Sequence, residues 1–276
     1  MPKILYICAF LTIFVDRLNQ AGRSVNYSIQ ADYHMSYLPD STNNQIKEEE
    51  MELLVNSGES VFRAKKKALT DSIINEGSKG NNNLGLLASN LTQIRYYIYK
   101  IGDTIITQDE FKVNPKEKAF YSEPRKFDWH ISDDTASIAG LLCQKAKMVY
   151  GGREWIAWFA QDIPLDEGPY KFCGLPGLIV KIADSRNHWI FELTALKEIK
   201  RSVSIAFNKV DPPRFISKKE CFKSKRNYVL NRTKIEEASG FISFKDERSR
   251  GLSYKKDKER ADKDNNWIEL YEAVVK

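Results

Sequence analysis

The chain has 276 residues, 42% of them hydrophobic and 12% aromatic, and carries a formal net charge of +6. That is enough for one sizeable core and gives no reason to expect two. The lysines are interleaved with acids, as over 255–264, which excludes the continuous basic stripe that binds nucleic acid.

Met1, Pro2 and Lys3 make a short basic start, and residues 4–15 then run almost without a polar side chain until Asp16 and Arg17. This is the pattern of a signal peptide, assigned to 1–21 with cleavage near Ala21, leaving one domain over 22–276. An apolar run of about a dozen residues falls short of the ~20 that a membrane-spanning helix needs. No stable transmembrane span is therefore expected, and the competing reading is a buried N-terminal helix. Cys8 lies inside the apolar run after Ile7, which argues against lipid attachment there. The expected location is exported: periplasm, outer-membrane surface or extracellular. Without the leader, Cys143, Cys173 and Cys221 remain, an odd number that permits at most one internal disulfide, with Cys143 and Cys173 as the candidate pair.

In chain order, Val25, Tyr27, Ile29, Ala31, Tyr33, Met35 and Tyr37 alternate with polar residues, the pattern of a long half-buried strand. Pro39-Asp40-Ser41 closes it, and Met51, Leu53 and Val55 mark an antiparallel return. Asn56-Ser57-Gly58 breaks that strand. Val61, Ala64, Ala68 and Leu69 then fall near helical spacing and predict a helix over 60–75. Residues 76–90, rich in Gly and Asn, read as a mobile loop. Residues 94–101 and 104–111 flank Gly102-Asp103, a hairpin signal of type II′. Phe127, Trp129 and Ile131 alternate up to a turn at Ser132-Asp133-Asp134. A run over 137–150 leads to Gly151-Gly152, and 153–160 returns. Residues 178–183 and 188–196 form another pair around 184–187, with Trp189, Phe191, Leu193 and Ala195 on one face. Beyond them, 217–238 reads as a charged helix, 241–266 as a polar and partly mobile segment, and 267–271 as a final edge strand. The predicted fold class is α+β and β-dominated: a large curved antiparallel sheet, a half-open barrel-like meander, with one or two packed helices.

The side chains give little sign of catalysis. His34, His130 and His188 do not share the spacing of metal ligands. The common hydrolase, zinc and nucleotide signatures are absent, so neither a metal nor a cofactor is expected. Asp162, Asp166 and Glu167 around Pro164 allow acid–base work or calcium binding in principle, but serve equally as turn residues before Gly168-Pro169. Cys173 has no histidine near it in sequence to act as a base, which favours a disulfide or a buried thiol over a nucleophile. Arg153 beside Trp155 and Trp158 reads first as guanidinium–indole packing. The abundance of aromatic residues also allows a surface that holds an apolar ligand.

The run 152–159, followed by Asp162-Ile163-Pro164-Leu165 and by Gly168-Pro169-Tyr170-Lys171-Phe172-Cys173-Gly174-Leu175-Pro176-Gly177-Leu178-Ile179, resembles the GLPGLI family, named for its last six residues. Trp129 with Ile131, 143–146, 60–62 and the turn at 37–40 extend the likeness over about 24–197. The resemblance implies a secreted or cell-envelope protein of Bacteroidetes type and brings no established activity or substrate. Gly174 and Gly177 permit left-handed or closely approached backbone, and Pro176 biases Leu175 toward extended geometry. The motif is thus a rigid entry into the strand that begins at Leu178, with a docking surface as the other reading. The residues marked for binding are Arg153, Trp155, Trp158, Asp162, Pro164, Gly168, Pro169, Tyr170, Phe172 and the six motif residues 174–179. The favoured function is non-catalytic binding of an apolar or peptide ligand, or of an envelope protein. The alternatives are a structural assembly partner and a hydrolase built on Asp162, Asp166 or Glu167 with Cys173 or Arg153.

Overall fold

The computed structural model describes residues 23–77, 84–110, 119–205 and 214–270. The leader assigned to 1–21 lies outside them, as do part of the loop predicted at 76–90 and the end of the strand predicted at 104–111. Among the described residues, twelve strands form one open sheet in the order β12-β6-β5-β4-β3-β2-β1-β11-β10-β9-β8-β7. Its first meander is β1 (Arg23–Tyr37), β2 (Lys47–Val55), β3 (Glu59–Ala64), β4 (Tyr97–Ile101), β5 (Thr104–Asp109) and β6 (Ala119–Pro124). Its second is β7 (His130–Ile138), β8 (Leu141–Tyr150), β9 (Arg153–Ala160), β10 (Leu178–Asp184) and β11 (Trp189–Ile205), and the two-residue β12 (Arg214–Phe215) lies parallel to β6. The long strands β1 and β11 pair antiparallel from Arg23↔Ile205 to Tyr37↔Trp189 and join the two meanders at the middle of the sheet.

The linker between β6 and β7 reveals the curvature. These strands stand ten inter-strand spacings apart in sheet order, about 48 Å in a flat sheet. The connection over 125–129 can reach only about 20 Å. The sheet must therefore curl until its two arms face each other, while among the described residues β12 and β7 remain unjoined edges. This is the predicted α+β, β-dominated class with a large, open, curved sheet.

Alternation along the strands builds the inner core. Met51, Leu53, Phe62, Ile98 and Ile105 join Tyr33, Met35, Trp155, Phe159 and Phe191 in one buried cluster. Leu54, Val61, Tyr97, Tyr99 and Ile106, one residue out of step on the same strands, form a second cluster on the other face. Helix α1 (Lys65–Gly77) follows β3 directly, and α2 (Leu84–Ser89) lies in the connection to β4. The helix predicted over 60–75 is therefore strand up to Ala64. Residues 59–64 are buried on both faces, and a short apolar run of that kind does not distinguish strand from helix by period.

Four other expectations change. Within the loop predicted at 76–90, Leu84–Ser89 form helix α2. The hairpin turn before β8 falls at Ala139-Gly140, with φ of 51° and 79°, while 132–134 are absorbed in a pairing irregularity between Ile131 and Thr135. The segment over 241–266 is largely helical. Helix α3 (Lys218–Ala238), with Ser217 as N-cap, and α4 (Glu247–Asp262), with Asp246 as N-cap, form a hairpin. Their contact is polar, through Tyr254 to Glu237, Arg250 to Glu237 and Thr233 N to Asp257. Residues 267–270 form no strand. They cross the β8–β9 turn in irregular conformation, and Leu270 N donates to Gly151 O at 2.7 Å. Among the described residues no helix is long and apolar enough to cross a membrane.

Candidate functional site

Residues 161–177, between β9 and β10, pass from the solvent into the curl. Gln161, Asp162 and Pro164 are exposed, but everything from Glu167 to Cys173 is buried. Phe172 packs on Trp155 with ring centroids 4.6 Å apart and meets Tyr170 at 5.8 Å and Phe127 at 6.4 Å. The aromatic inner surface is thus covered by the chain's own segment. Gly177 makes the exit into β10 possible, since a Cβ there would lie 2.2 Å from Ala160 O.

Two buried lysines hold this segment. Lys100 of β4 has no exposed surface; its Nζ lies 2.8 Å from Glu167 and donates to the carbonyls of Gly168 and Phe172 at 2.7 and 3.2 Å. Arg125, in the linker between the arms, adds ion pairs to Glu167 at 3.1 Å and Asp166 at 2.9 Å. Trp129 Nε1, further along the linker, donates to Cys173 O at 2.9 Å. Lys171, also fully buried, lies 2.7 Å from Glu123 and 2.6 Å from Glu269, while Lys218 of α3 pairs with the same two carboxylates at 2.6 and 2.5 Å. Tyr170 OH donates to Glu269 at 2.6 Å and Tyr150 OH to Glu123 at 2.7 Å.

These charges are mutually compensated. Burial alone would raise the Glu269 pKa, but Lys171 and Lys218 together hold it down at about 2. Burial would likewise lower Lys171, and the two glutamates overcome it and raise its pKa. Burial, reinforced by Glu269, holds the Tyr121, Tyr150 and Tyr170 hydroxyls well above their usual range. Glu269 and Lys171 therefore stay charged, and the Tyr121, Tyr150 and Tyr170 phenols neutral, at ordinary pH.

The guanidinium–indole packing expected of Arg153 with Trp155 and Trp158 is replaced by polar contacts. The Arg153 guanidinium pairs with Asp184 at 2.9 Å and donates to Trp267 O, Ile268 O and Asn266 Oδ1 at 2.6, 3.1 and 2.7 Å. Trp155 faces the inner core, while Trp158, three positions on, packs in the outer cluster with Lys145 above its ring. The candidate disulfide does not form. Cys143, Cys173 and Cys221 are all buried free thiols. Cys143 belongs to the outer cluster and Cys173 to the inner one, so the sheet itself separates them. Burial raises the Cys173 thiol pKa, against the opposing influence of Lys100 and Arg125.

The structure therefore brings together Arg153, Trp155, Gly168, Pro169, Tyr170, Phe172, Leu175 and Ile179, with Gly177 against Ala160 and Leu178 buried outside the inner cluster. It leaves Trp158 on the other face and Asp162, Pro164, Gly174 and Pro176 less buried or at the surface. Glu167 is no plain turn residue but an internal counterion. Sequence reasoning missed Lys100, Glu123, Lys218, Asn266 and Glu269, whose partners lie far along the chain. Lys171 had one local signal, a cation between two aromatic residues of the motif.

Residues 147–181 match the model of a family described as "Protein of unknown function (Porph_ging)". The match falls on the site. It takes in β9, the Gly151-Gly152 turn, the buried segment and the run 174–179. No curated protein sequence matches the chain. Among solved structures, two of PNGF-II are similar at TM-scores of 0.47 and 0.48, with 15% and 14% identity over 72% of this chain. The chain spans about one third of their length, 33% and 32%. A LolA superfamily protein from Nitrosomonas europaea is similar at a TM-score of 0.28 with 8% identity, over 69% of this chain and 94% of that one.

Proposed function

We propose that the chain is an exported, non-catalytic binding protein of the cell envelope, and that of the apolar or peptide ligands compatible with its sequence it takes a peptide. One observation carries this reading: the curled sheet holds irregular chain by its main-chain carbonyls, through side-chain donors presented on its strands and on the linker between its arms. Lys100 grips the carbonyls of Gly168 and Phe172, and Trp129 grips that of Cys173. Carbonyl contacts of this kind hold a chain in place, and side-chain pockets then select its residues. An apolar small molecule in the concavity is the weaker choice, because Tyr170 and Phe172 already cover the aromatic surface. The hydrolase reading has little support, since Arg153 is committed to Asp184 and residues 266–268, and Cys173 is 1% exposed.

Native mass spectrometry of the protein purified from its own envelope tests the proposal. A retained peptide, released on denaturation, is the expected result. A retained lipid would point to the apolar alternative, and the bare chain mass in every preparation would count against binding of either kind.

A further inference from the structure

Residues 266–270 lie in their groove as a guest lies in a receptor. The floor is the β8–β9 turn, where a Cβ on Gly151 would come 2.8 Å from Glu269 Cγ and one on Gly152 would come 3.0 Å from Leu270 O. Glycine is required at both positions for a second chain to pass over. The walls then address the passing main chain. Trp189 Nε1 donates to Asn266 O at 3.0 Å, and Arg153 donates to the next two carbonyls, those of Trp267 and Ile268. Pro39 O accepts from Asn266 N at 3.1 Å, and Gly151 O from Leu270 N. Two side chains are read as well. The Asn266 amide lies between Arg153 and Leu38 O, and the Glu269 carboxylate between Tyr170 and Lys171. Arg153 is 5% exposed and is held by Asp184, so its donors are fixed in direction.

We infer that this groove is a peptide-recognition site, selective for a segment with asparagine and, three residues on, glutamate, and that residues 266–269 occupy it in cis. The inference rests on the peptide reading above and gives it a location and a sequence pattern. It also accounts for the position of the family match, because Gly151, Gly152, Arg153, Tyr170 and Lys171 all lie within 147–181 and all converge on this one segment. A foreign peptide must displace the resident one, whose effective concentration is on the order of millimolar for a short tether.

The test uses the full chain. A double variant, N266A and E269Q, weakens the resident segment in place, and a fluorescein-labelled synthetic peptide of the sequence 264–270 is titrated against it by anisotropy. The variant is expected to bind this peptide at least about 10-fold more tightly than the unaltered chain does. A peptide carrying Glu269→Gln is expected to bind about 10-fold more weakly than the parent peptide. A folded variant that binds neither peptide, or both equally, overturns the inference. Should the variant fail to fold, hydrogen exchange of the unaltered chain decides. Asn266 and Leu270 amides that exchange faster than those of β1 and β11 mark a separable guest. Exchange only through global unfolding marks a fixed part of the core and overturns the proposal. None of these readouts depends on what is retained from the envelope, so failure here and failure of the binding function are told apart.

Discussion

Glu269 sits at the bottom of the groove with its pKa pulled from the ordinary 4.5 to about 2 by Lys171 and Lys218. A carboxylate whose pKa falls on folding stabilises the native state at every pH above its unfolded value. That stabilisation drains away as pH drops through the folded one. The window is therefore about pH 4.5 down to about 2, and the depression corresponds to about 3 kcal/mol. Urea unfolding of the unaltered chain and of Glu269→Gln should show a gap of that order at pH 7 that closes toward pH 2. An equal gap at every pH would mean that Glu269 contributes by packing rather than by charge. A neighbouring contrast lies within the motif. Gly177→Ala drives a Cβ to 2.2 Å from a backbone oxygen and should cost at least about 3 kcal/mol. Gly174→Ala, at φ +86° with nothing within 4 Å, should cost only about 1 kcal/mol in the same assay. That these glycines serve backbone geometry was legible in the sequence. That Gly151 and Gly152 carry a segment more than a hundred residues away was not, because a close approach of that kind has no local signature.

At the scale of elements, legibility followed period. Residues 25–37 alternate without interruption, and the strand is there. Gly151-Gly152 marks a hairpin, and both residues have positive φ, 59° and 75°. The losses came where two physical causes give one pattern. Asp133 and Asp134 look like a turn, yet they sit in β7, the exposed edge of the sheet, at a bulge. Carboxylates and bulges on an edge strand keep it from pairing with other chains. Asp133→Thr with Asp134→Val should therefore convert a chain that stays in one state on dilution into one that associates with rising concentration, as read by sedimentation velocity. An unchanged sedimentation coefficient would show that the edge is guarded by something else. Helix α4 was unreadable for a different reason. Its contacts to α3 are an ion pair and polar hydrogen bonds, so it needs no apolar stripe, and periodicity has nothing to detect.

At the scale of the whole molecule, the curl brings together arms that are far apart in sheet order, and Lys100 with Glu167 is the most direct tie between them. Lys100 belongs to the first meander and Glu167 to the segment carried by the second, and both are buried. Removing one partner of such a pair costs about 3–5 kcal/mol because the other is left buried with its charge. Lys100→Met and Glu167→Gln should each fall near that range, with Arg125 softening the first. The double variant should recover about 1–3 kcal/mol of the summed loss. The five tryptophans, Trp129, Trp155, Trp158, Trp189 and Trp267, all lie in the second arm, the linker or the C-terminal segment. Their fluorescence therefore reports one arm, while far-ultraviolet circular dichroism reports both. Because β1 and β11 pair along their whole length and Lys171 makes a second tie, the two signals should move together in Lys100→Met, by the same free energy, as one cooperative unit requires. A fluorescence transition that shifts alone would show that the arms unfold separately, and the facing of the two arms would then be a consequence of the short linker rather than of the buried ion pairs.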